Sequence, residues 1–351
     1  MRKLYLVRHG RPEFPDGDSC CLGSTDLPLG TLGRMQAYLA AELLREKGIG
    51  TVFSSPLSRA VQTAEYLCPE PRLKAGLEEV FAGDWDGLSF AEIRRCWPEL
   101  YILRGHDRSI MPPGSESMES ANRRFSTAVT DCLAESRTAP ALVTHRSVSL
   151  GWLKNVCGIQ EPELENAFGC GSVMALELDG EGRAQSAAIC ERVELNPERA
   201  EMLLRIHGTP DNVRAHCAAV AELGAELCRR LSLNAETAYC AGLLHDIART
   251  GKDHARTGAQ LMERLGYPLY ADIIGRHHEL GFAGQIDEAA VVYIADKLLL
   301  GSERVSLETR FSRSAGSCGT PEAAAAHLRR FEEAQKVKAR INEIYGKELI
   351  P

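Results

Sequence analysis

The stretch Leu4-Tyr5-Leu6-Val7-Arg8-His9-Gly10 decides how the first half of this 351-residue chain is interpreted. The apolar run Leu4–Val7 has the length of a short strand, and it is apolar on both faces, as strands are inside a mostly parallel sheet. Two polar side chains, Arg8 and His9, follow it directly. Because ligands of open α/β sheets bind outside the carboxyl ends of the strands, this position favours a functional role for both residues.

The pattern of strands and helices divides the chain in two. Before residue 191 the predicted strands are Leu4–Val7, Thr51–Ser54, Ala141–Thr144 and Val173–Leu178, and the predicted helices are Leu32–Glu46 and Leu57–Leu67. This alternation predicts a three-layer α/β domain with a mostly parallel sheet. After Asn196 no strand is predicted, and helices are expected at Tyr239–Ala248, His254–Leu265, Ala289–Leu300 and Pro321–Tyr345. We therefore expect an α/β domain over residues 1–195 and an all-α domain over residues 196–351.

Composition and charge limit the classes of partner. The formal net charge of −7 argues against a general nucleic-acid binder, which normally has a basic surface. No apolar run reaches the length of a membrane-spanning helix, and the first ten residues lack the pattern of a signal peptide. The twelve cysteines form no C-x-x-C pair and are typical of buried thiols in a reduced compartment. We expect a cytoplasmic protein without membrane or nucleic-acid partners, and an oligomer remains open.

A second arginine and a second histidine extend the first motif. Arg59 follows the predicted strand that ends at Ser54, and His145 follows the strand that ends at Thr144. Helices are expected to begin just after Pro56 and just after His145, and helix N-termini favour anions. Two histidines and two arginines near helix starts predict a site for a dianionic phosphoryl group.

Several blocks together carry a family resemblance. In chain order they are Leu4–Gly10, Thr25–Leu29 with Gly33 and Gln36, Ser54–Ala64, Leu77–Gly87, Pro112–Ser117 and Val143–His145. They resemble the histidine phosphatase (phosphoglycerate mutase-like) superfamily over roughly the first 190 residues. The resemblance implies a phosphatase that needs no cofactor in this domain.

The resemblance also implies a role for each site residue. His9 would be the nucleophile that takes the phosphoryl group, and Arg8 and Arg59 would bind its oxygens. His145 would stabilise the transferring group, and Glu79 would protonate the leaving oxygen and then activate water.

Three points stay open for this domain. Glu78 is the neighbouring alternative to Glu79. Arg146 stands where the family usually has a small residue, so its side chain either adds to phosphate binding or points into solvent. Mutase-type phosphotransfer, as in phosphoglycerate mutase, is an alternative activity, although no long insert is evident that would retain a phosphorylated product.

The second half of the chain holds a different set of polar residues. Asp296 lies inside an apolar predicted helix, where a carboxylate is costly unless it is paired or bound to metal. Imidazoles and carboxylates from neighbouring helices are the usual metal ligands of helical bundles. The pattern predicts a metal site with six candidate ligands: His216, His245, Asp246, His254, His277 and Asp296.

These residues resemble the HD phosphohydrolase superfamily, with its His…His-Asp…Asp pattern. The additional His254 and His277 resemble the subset that binds two metals, including bacterial HD-type diadenosine tetraphosphate hydrolases. The resemblance implies one or two divalent ions, iron, manganese or another transition metal, with Asp246 as the bridging ligand. His278 can replace His277. Arg249 and Lys252 either hold substrate phosphate or are solvated surface charges.

The two halves together predict a bifunctional phosphohydrolase that acts on a small phosphorylated metabolite or nucleotide. One domain would use phosphohistidine chemistry, and the HD domain would use metal-dependent hydrolysis. Two other hypotheses remain. In one, only the histidine phosphatase is active, and the HD domain is a metal-binding sensor or oligomerisation module. In the other, the chain is a regulatory nucleotide sensor with little turnover.

Overall fold

The computed structural model describes residues 2–17, 19–160, 162–249, 253–316 and 318–350. The chain forms two compact units, Met1–Val193 and Glu194–Pro351. Lys252, one of the two cations considered for phosphate binding, lies outside the described residues.

The first unit alternates strands and helices. In chain order they are β1 (Arg2–Arg8), α1 (Thr31–Arg45), β2 (Val52–Ser54), α2 (Ser58–Leu67), β3 (Arg72–Leu73), α3 (Phe90–Cys96), α4 (Pro98–His106), α5 (Met118–Ala134), β4 (Ala141–Thr144), α6 (Arg146–Asn155), α7 (Pro162–Ala167), β5 (Val173–Leu178) and β6 (Ala184–Ile189). The four predicted strands are all present. The edge strands β3 and β6 were not predicted, because β3 has two residues and β6 is largely exposed, so neither has an apolar run.

The sheet is mostly parallel, as predicted, with the strand order β3-β2-β4-β1-β5-β6. Strands β1, β2, β3 and β4 run parallel, and β5 and β6 are antiparallel additions at one edge. Arg8 pairs in register with Thr144, and Ser54 pairs with Val143. The carboxyl ends of β1, β2 and β4 therefore meet at one edge of the sheet, where the predicted site residues follow them.

Helices cover both faces of this sheet. Leu4 and Leu6 of β1 lie in a core cluster with Phe125 of α5 and Trp152 of α6. Successive side chains of a strand point to opposite faces, so Tyr5 and Val7 face the other side. Helix α2 contacts β2 and β4, and α1 packs on α2. The predicted layered α/β architecture is confirmed.

The second unit is largely helical, as predicted. Its elements are α8 (Pro197–His207), α9 (Asp211–Leu231), α10 (Ala235–Leu244), α11 (His254–Leu265), α12 (Pro268–Arg276), α13 (Glu288–Lys297), β7 (Leu299–Leu300), β8 (Glu303–Arg304), α14 (Leu307–Ala315) and α15 (Pro321–Tyr345). Every residue from 289 to 297 is buried, which agrees with the expectation that this apolar helix is central.

Three expectations for the second unit were wrong in detail. A short hairpin, β7–β8, occurs where no strand was expected, and its turn uses Gly301 at a φ of +62°. Helix α13 accordingly ends at Lys297 and not at Leu300. Helix α10 ends at Leu244, and His245 and Asp246 lie in the turn that follows it. The apolar pattern continues past the C-terminal ends of α10 and α13, so the sequence did not show where these helices end.

Two further observations concern the cysteine thiols and membrane-spanning helices. All twelve cysteines lie in the described part of the chain, and each is a free thiol. Among the described helices, none has both the length and the apolar character needed to cross a bilayer.

Two helical glycines at the contact of α9 and α10 provide a matched test of this packing. A methyl group at Gly242 would lie 2.7 Å from Cα of Ala221, whereas one at Gly224 would lie 3.8 Å from the carbonyl oxygen of Ala238. We expect Gly242→Ala to lower the free energy of unfolding by about 1–3 kcal/mol through overpacking. We expect Gly224→Ala to raise it by about 0.5–1 kcal/mol, because alanine favours the helix. Urea denaturation of both variants measures the difference, and shifts of the same sign would contradict the close helix contact.

Candidate active site and candidate metal centre

The structure brings the two predicted histidines of the first unit together. His9 follows β1 and His145 follows β4, and their ring centroids are 4.9 Å apart. Both imidazoles are buried. Because β1 and β4 are parallel neighbours, their carboxyl ends place the two rings side by side.

One hydrogen bond sets the orientation of His9. Its Nδ1 lies 2.7 Å from the carbonyl oxygen of Gly10, which can only accept, so Nδ1 carries the proton and Nε2 keeps its lone pair. A side chain at Gly10 would overlap the carbonyl oxygen of Gly33, which explains the glycine after the histidine. Burial, followed by the positive charges of Arg59 and Arg8, holds the pKa of His9 well below 6.5. The ring is therefore a neutral base at pH 7.

Arg59 is a fully buried cation held by main-chain oxygens. Its Nη1 donates to the carbonyl of Thr25 and its Nη2 to the carbonyl of Gly23, each at 2.9 Å. Asp86 fixes that loop by accepting from the backbone N–H groups of Gly23, Ser24 and Thr25 at 2.7–3.0 Å. The conformation of the loop thus sets the position of the guanidinium.

Three buried nitrogen atoms of this site have no hydrogen-bond partner: Nε of Arg8, Nε of Arg59 and Nδ1 of His145. Buried polar groups are normally paired, so three in one place indicate a missing ligand. Burial first, and then the charges of His9, Arg59 and Arg8, lower the pKa of His145, which records how close these groups lie. An anion with several acceptor oxygens, such as a phosphoryl group, would satisfy them.

Glu79 reaches this site through the start of α6. Its Oε1 accepts from the backbone N–H of Val148 at 2.8 Å, and its Oε2 from that of Ser147 at 3.0 Å. At the start of α2, Asp26 accepts from the backbone N–H of Ser58 at 2.8 Å. Carboxylates of the protein therefore bind N–H groups at both helix starts, where the sequence predicted an anion site.

The neighbouring Glu78 points elsewhere. Its Oε2 accepts from the backbone N–H of Gly76 at 2.6 Å and lies 3.7 Å from Nη1 of Arg124. Arg124 also donates to the carbonyl oxygens of Glu78 and Glu79, at 2.8 and 2.9 Å, and pairs with Glu116 at 2.8 Å. Arg124 therefore orients this loop so that Glu79 reaches the start of α6 and Glu78 does not.

The side chain of Arg146 is directed toward α7 and does not point freely into solvent. Its Nη2 donates to the backbone carbonyl oxygen of Glu165, in α7. Burial, then the charge of Arg8, lowers the pKa of Arg146, so the two cations lie near each other. Arg8 donates to the same chain segment, at the carbonyl oxygen of Phe168, at 3.0 Å.

Three predicted ligands of the second unit are oriented in the same way as His9. His216, His245 and His277 each have Nδ1 2.7 Å from a backbone carbonyl oxygen, those of Gly301, Gly242 and Ile274 respectively. In each ring Nδ1 therefore carries a proton, and Nε2 is the atom that faces the site. Burial opposes the charged form of His245, but Cys217 and Asp246 raise its pKa well above 6.5, so its Nε2 binds either a proton or a metal ion. The Nε2 atoms of His245 and His277 are buried and have no hydrogen-bond partner.

These Nε2 atoms face carboxylate oxygens. Nε2 of His216 lies 3.1 Å from Oδ1 of Asp296, and Nε2 of His245 lies 3.4 Å from Oδ2 of Asp246. Two acceptors at such a distance repel unless a proton on Nε2 or a metal ion lies between them. Metal–nitrogen and metal–oxygen bonds of about 2.1 Å at angles of 90–110° separate neighbouring ligand atoms by roughly 3.0–3.4 Å. The donor set and its spacing therefore fit a divalent transition-metal ion.

Asp246 lies between two groups of possible ligands. One group is His216, His245 and Asp246 itself, and the other is His254, His277 and His278. Oδ2 of Asp246 faces the first group, while Oδ1 lies 3.0 Å from Nε2 of His254 and 3.6 Å from Nε2 of His277. Each carboxylate oxygen of Asp246 thus faces one group, so this residue is placed to be a ligand of two ions. His278 remains an alternative ligand, since its Nε2 lies 2.8 Å from that of His254.

Two cations lie beside these carboxylates. Lys297, which sequence reasoning missed, is buried, and its Nζ donates to Oδ2 of Asp296 at 2.6 Å and to the carbonyl oxygen of His277 at 3.0 Å. Burial opposes the charge of Asp296, but Lys297 and His216 lower its pKa well below the usual range. A lysine directly after an aspartate in an apolar helix was the signal that could have identified Lys297. Arg249 pairs with Oδ2 of Asp246.

In the first unit a neutral buried imidazole thus lies beside two guanidinium groups and a second histidine, on an α/β fold. Residues 4–189, a little over half of the chain, match the family model of the histidine phosphatase superfamily (branch 1). The chain belongs to this superfamily and is a hydrolase of phosphate esters. Residues 213–300 match the HD domain, so the chain also carries an HD domain.

The chain is similar to several individual proteins over part of its length. The glucosyl-3-phosphoglycerate phosphatase of Mycolicibacterium vanbaalenii is 30% identical over 196 residues, which are 52% of this chain and 87% of that protein. The bifunctional protein Rv2228c of Mycobacterium tuberculosis is 38% identical over 127 residues, but these are only 35% of either protein. A solved structure of mycobacterial glucosyl-3-phosphoglycerate phosphatase Rv2419c with VO3 has a TM-score of 0.46 at 27% identity and covers 50% of this chain and 93% of that one.

The lowered pKa of His9 predicts its protonation state in acid. Because the pKa is lowered well below 6.5, we expect His9 to take up its proton at a lower pH than a free imidazole does. The unfolded chain then binds this proton first, so the contribution of His9 lowers the free energy of unfolding as the pH falls below about 6.5. Two-dimensional ¹⁵N NMR of histidine-labelled protein, assigned with His9→Gln, measures the titration. A midpoint at or above 6.5 would contradict the described burial.

The ligand geometry predicts metal-dependent stability. At a free Mn²⁺ concentration 100 times the dissociation constant, we expect bound metal to raise the free energy of unfolding by about 2.7 kcal/mol. Asp246→Asn should lower the metal content and remove this gain, because the aspartate faces both groups of ligands. His207→Ala, which changes a histidine of α8 outside these groups, is the control. Elemental analysis and chemical denaturation measure the effects, and equal metal content in the two variants would count against this site.

Proposed function

We propose that this chain is a bifunctional phosphohydrolase with a separate site in each unit. The first site would hydrolyse phosphomonoesters through a phosphohistidine on His9. The observation that carries the proposal is the neutral Nε2 of His9, oriented by Gly10 and adjacent to three buried nitrogens without partners. A nucleophile and an anion-binding set thus occur in one place.

The first half of the reaction transfers the phosphoryl group to the protein. Nε2 of His9 attacks phosphorus, the ester P–O bond breaks, and its electron pair leaves with the alcohol oxygen. Glu79, protonated at this stage, gives its proton to that oxygen. Arg8 and Arg59 bind the equatorial oxygens, and His145 stabilises the charge that spreads over them in the transition state.

The second half returns His9 to its starting state. Glu79, now a carboxylate, takes a proton from water while the water oxygen attacks phosphorus. The P–N bond breaks, its electron pair returns to Nε2, and inorganic phosphate leaves. The loop contacts of Arg124 hold Glu79 in reach for both steps.

The second site would be a metal-dependent phosphohydrolase of the HD type. His216, His245, Asp246 and Asp296 would hold one ion, and Asp246, His254 and His277 would hold a second. Iron or manganese suits this mixture of nitrogen and oxygen ligands. Such an ion would act as a Lewis acid toward a phosphoryl oxygen. Lys297 would keep the Asp296 carboxylate charged and fixed.

The substrates we propose are small phosphorylated metabolites or nucleotides. The relative from Mycolicibacterium vanbaalenii is named for a phosphorylated sugar acid, which supports a metabolite phosphomonoester for the first site. A single-activity histidine phosphatase with a metal-binding but inert HD domain is the second candidate. The pairing of Arg249 with Asp246, a predicted metal ligand, favours that candidate to the extent that it persists with metal bound.

A set of matched variants tests the first site. We expect His9→Ala to abolish phosphate release from p-nitrophenyl phosphate in the presence of chelator, and Glu79→Gln to lower kcat by about 10²–10⁴-fold through loss of proton transfer. Glu78→Gln is the matched control and should retain most activity, because Glu78 faces Arg124 and Gly76. Labelling with ³²P substrate, followed by a quench in alkaline detergent that preserves the acid-labile P–N bond, should trap phosphohistidine in wild type and not in His9→Ala. Equal activity of His9→Ala and wild type would refute the proposal.

The same variants separate the two sites. If the HD site is catalytic, Asp246→Asn and chelator should abolish a second activity on nucleotide or dinucleotide substrates that His9→Ala leaves intact. Absence of any metal-dependent activity would favour the single-activity candidate. Transfer of the ³²P label to an added acceptor alcohol in preference to water would instead indicate a mutase-type reaction.

A further inference from the structure

A small cavity adjoins the candidate metal centre, and two helices beyond the HD match form one of its walls. Its volume is about 190 Å³. One side consists of the residues already described, including Asp246, His254 and Asp296. The other side belongs to α14 and α15, which follow residue 300, where the HD match ends. The residues of that wall are Arg310, Phe311, Ser314, His327 and Arg330.

The wall is strongly basic, and its charges are not neutralised. Neither Arg310 nor Arg330 forms an ion pair with a carboxylate in the described part of the chain, and Nε of Arg310 is buried without a hydrogen-bond partner. Nε2 of His327 lies 2.8 Å from Oγ of Ser314. Burial, and then the charges of Arg330 and Arg310, lower the pKa of His327, so three nitrogen-bearing side chains share one positive region.

Packing holds this wall against the helix that carries Asp296. The ring of Phe311 contacts those of His327 and Phe331, at centroid distances of 5.1 and 5.0 Å. The hydroxyl of Tyr293, in α13, donates to the backbone carbonyl oxygen of Arg330 at 3.0 Å. Asp296 lies one turn further along the same helix, so the basic wall and the candidate metal ligands keep a fixed spacing.

We propose that Arg310 and Arg330, with His327 and Ser314, form a subsite for a second phosphate group of the substrate of the HD domain. The metal ligands would hold the phosphoryl group that reacts, and the basic wall would hold the next one. The substrate class is then a compound with linked phosphates, such as a nucleoside polyphosphate, and not a simple monoester. This inference rests on the proposed metal-dependent function of the same site.

The volume of the cavity limits the size of the ligand that it can enclose. Pockets that enclose a drug-sized ligand measure roughly 300–1,000 Å³, so a cavity of about 190 Å³ is too small for a whole nucleotide. It suits a short phosphate chain, with the organic part of the ligand outside. Guanidinium groups bind phosphate oxygens in a bidentate manner, which makes arginine well suited to such a wall.

The test uses the full chain in the His9→Ala background, freed of metal with chelator and then dialysed, so that neither turnover nor metal chelation disturbs binding. The probe is inorganic tripolyphosphate, measured by isothermal titration calorimetry.

We expect the Arg310→Gln/Arg330→Gln variant to lose one tripolyphosphate-binding site, or to bind tripolyphosphate there more weakly by roughly tenfold or more for each guanidinium removed. The matched control is Arg313→Gln/Arg329→Gln, which removes the same charge from exposed positions of the same two helices. The first phosphate-binding site, around Arg8 and Arg59, is common to all these proteins.

Equal tripolyphosphate binding by the two double variants would overturn the inference. Circular dichroism and the thermal midpoint establish that each variant is folded, and Arg310→Lys/Arg330→Lys should restore part of the affinity. A second measurement, with Mn²⁺ restored, compares kcat/KM for tripolyphosphate and for p-nitrophenyl phosphate, and only the first should fall in Arg310→Gln/Arg330→Gln. If specific binding is lost but no variant, including the parent, shows metal-dependent turnover, the subsite stands and the proposed HD activity fails.

Discussion

Both sites of this protein depend on one kind of hydrogen bond, from Nδ1–H of an imidazole to a backbone carbonyl oxygen. It occurs at 2.7 Å in His9, His216, His245 and His277. The bond fixes the tautomer and the ring orientation, so that Nε2 presents its lone pair to the site. In the first unit we propose that lone pair as the nucleophile, and in the second as a metal ligand. The same kind of hydrogen bond thus orients histidines for two different kinds of chemistry.

Burial and the neighbouring charges determine the electrostatic environment of these imidazoles. His9 and His145 lie among arginines in a buried site, so the neutral rings are favoured, and two backbone carbonyl oxygens hold Arg59. The second unit has the opposite balance, because buried carboxylates face the imidazoles. The first site therefore has the charge that suits an anion, and the second has the donor set that suits a cation.

The strand ends were predicted from their apolar runs, whose period is easy to read. The residues around His9 and the six candidate ligands were predicted from such positions together with the two family resemblances. Sequence reasoning missed β3, β6 and the β7–β8 hairpin, which are too short or too exposed to leave an apolar pattern. It also predicted an anion site at the two helix starts, where the carboxylates of Glu79 and Asp26 bind. Partners distant in sequence have no local signal.

The sequence by itself determined the two fold classes and the residue types that carry the chemistry, since strand length, helix period and the Arg-His-Gly and His-Asp motifs are local properties. Only the tertiary structure showed which glutamate reaches the start of α6, because Arg124, more than forty residues away, orients the loop that holds both. Only the tertiary structure showed the basic wall of α14 and α15 beside the metal ligands, because arginines on an amphipathic helix look like solvated charges until packing turns them toward a cavity. Long-range packing, which no local pattern encodes, made both decisions.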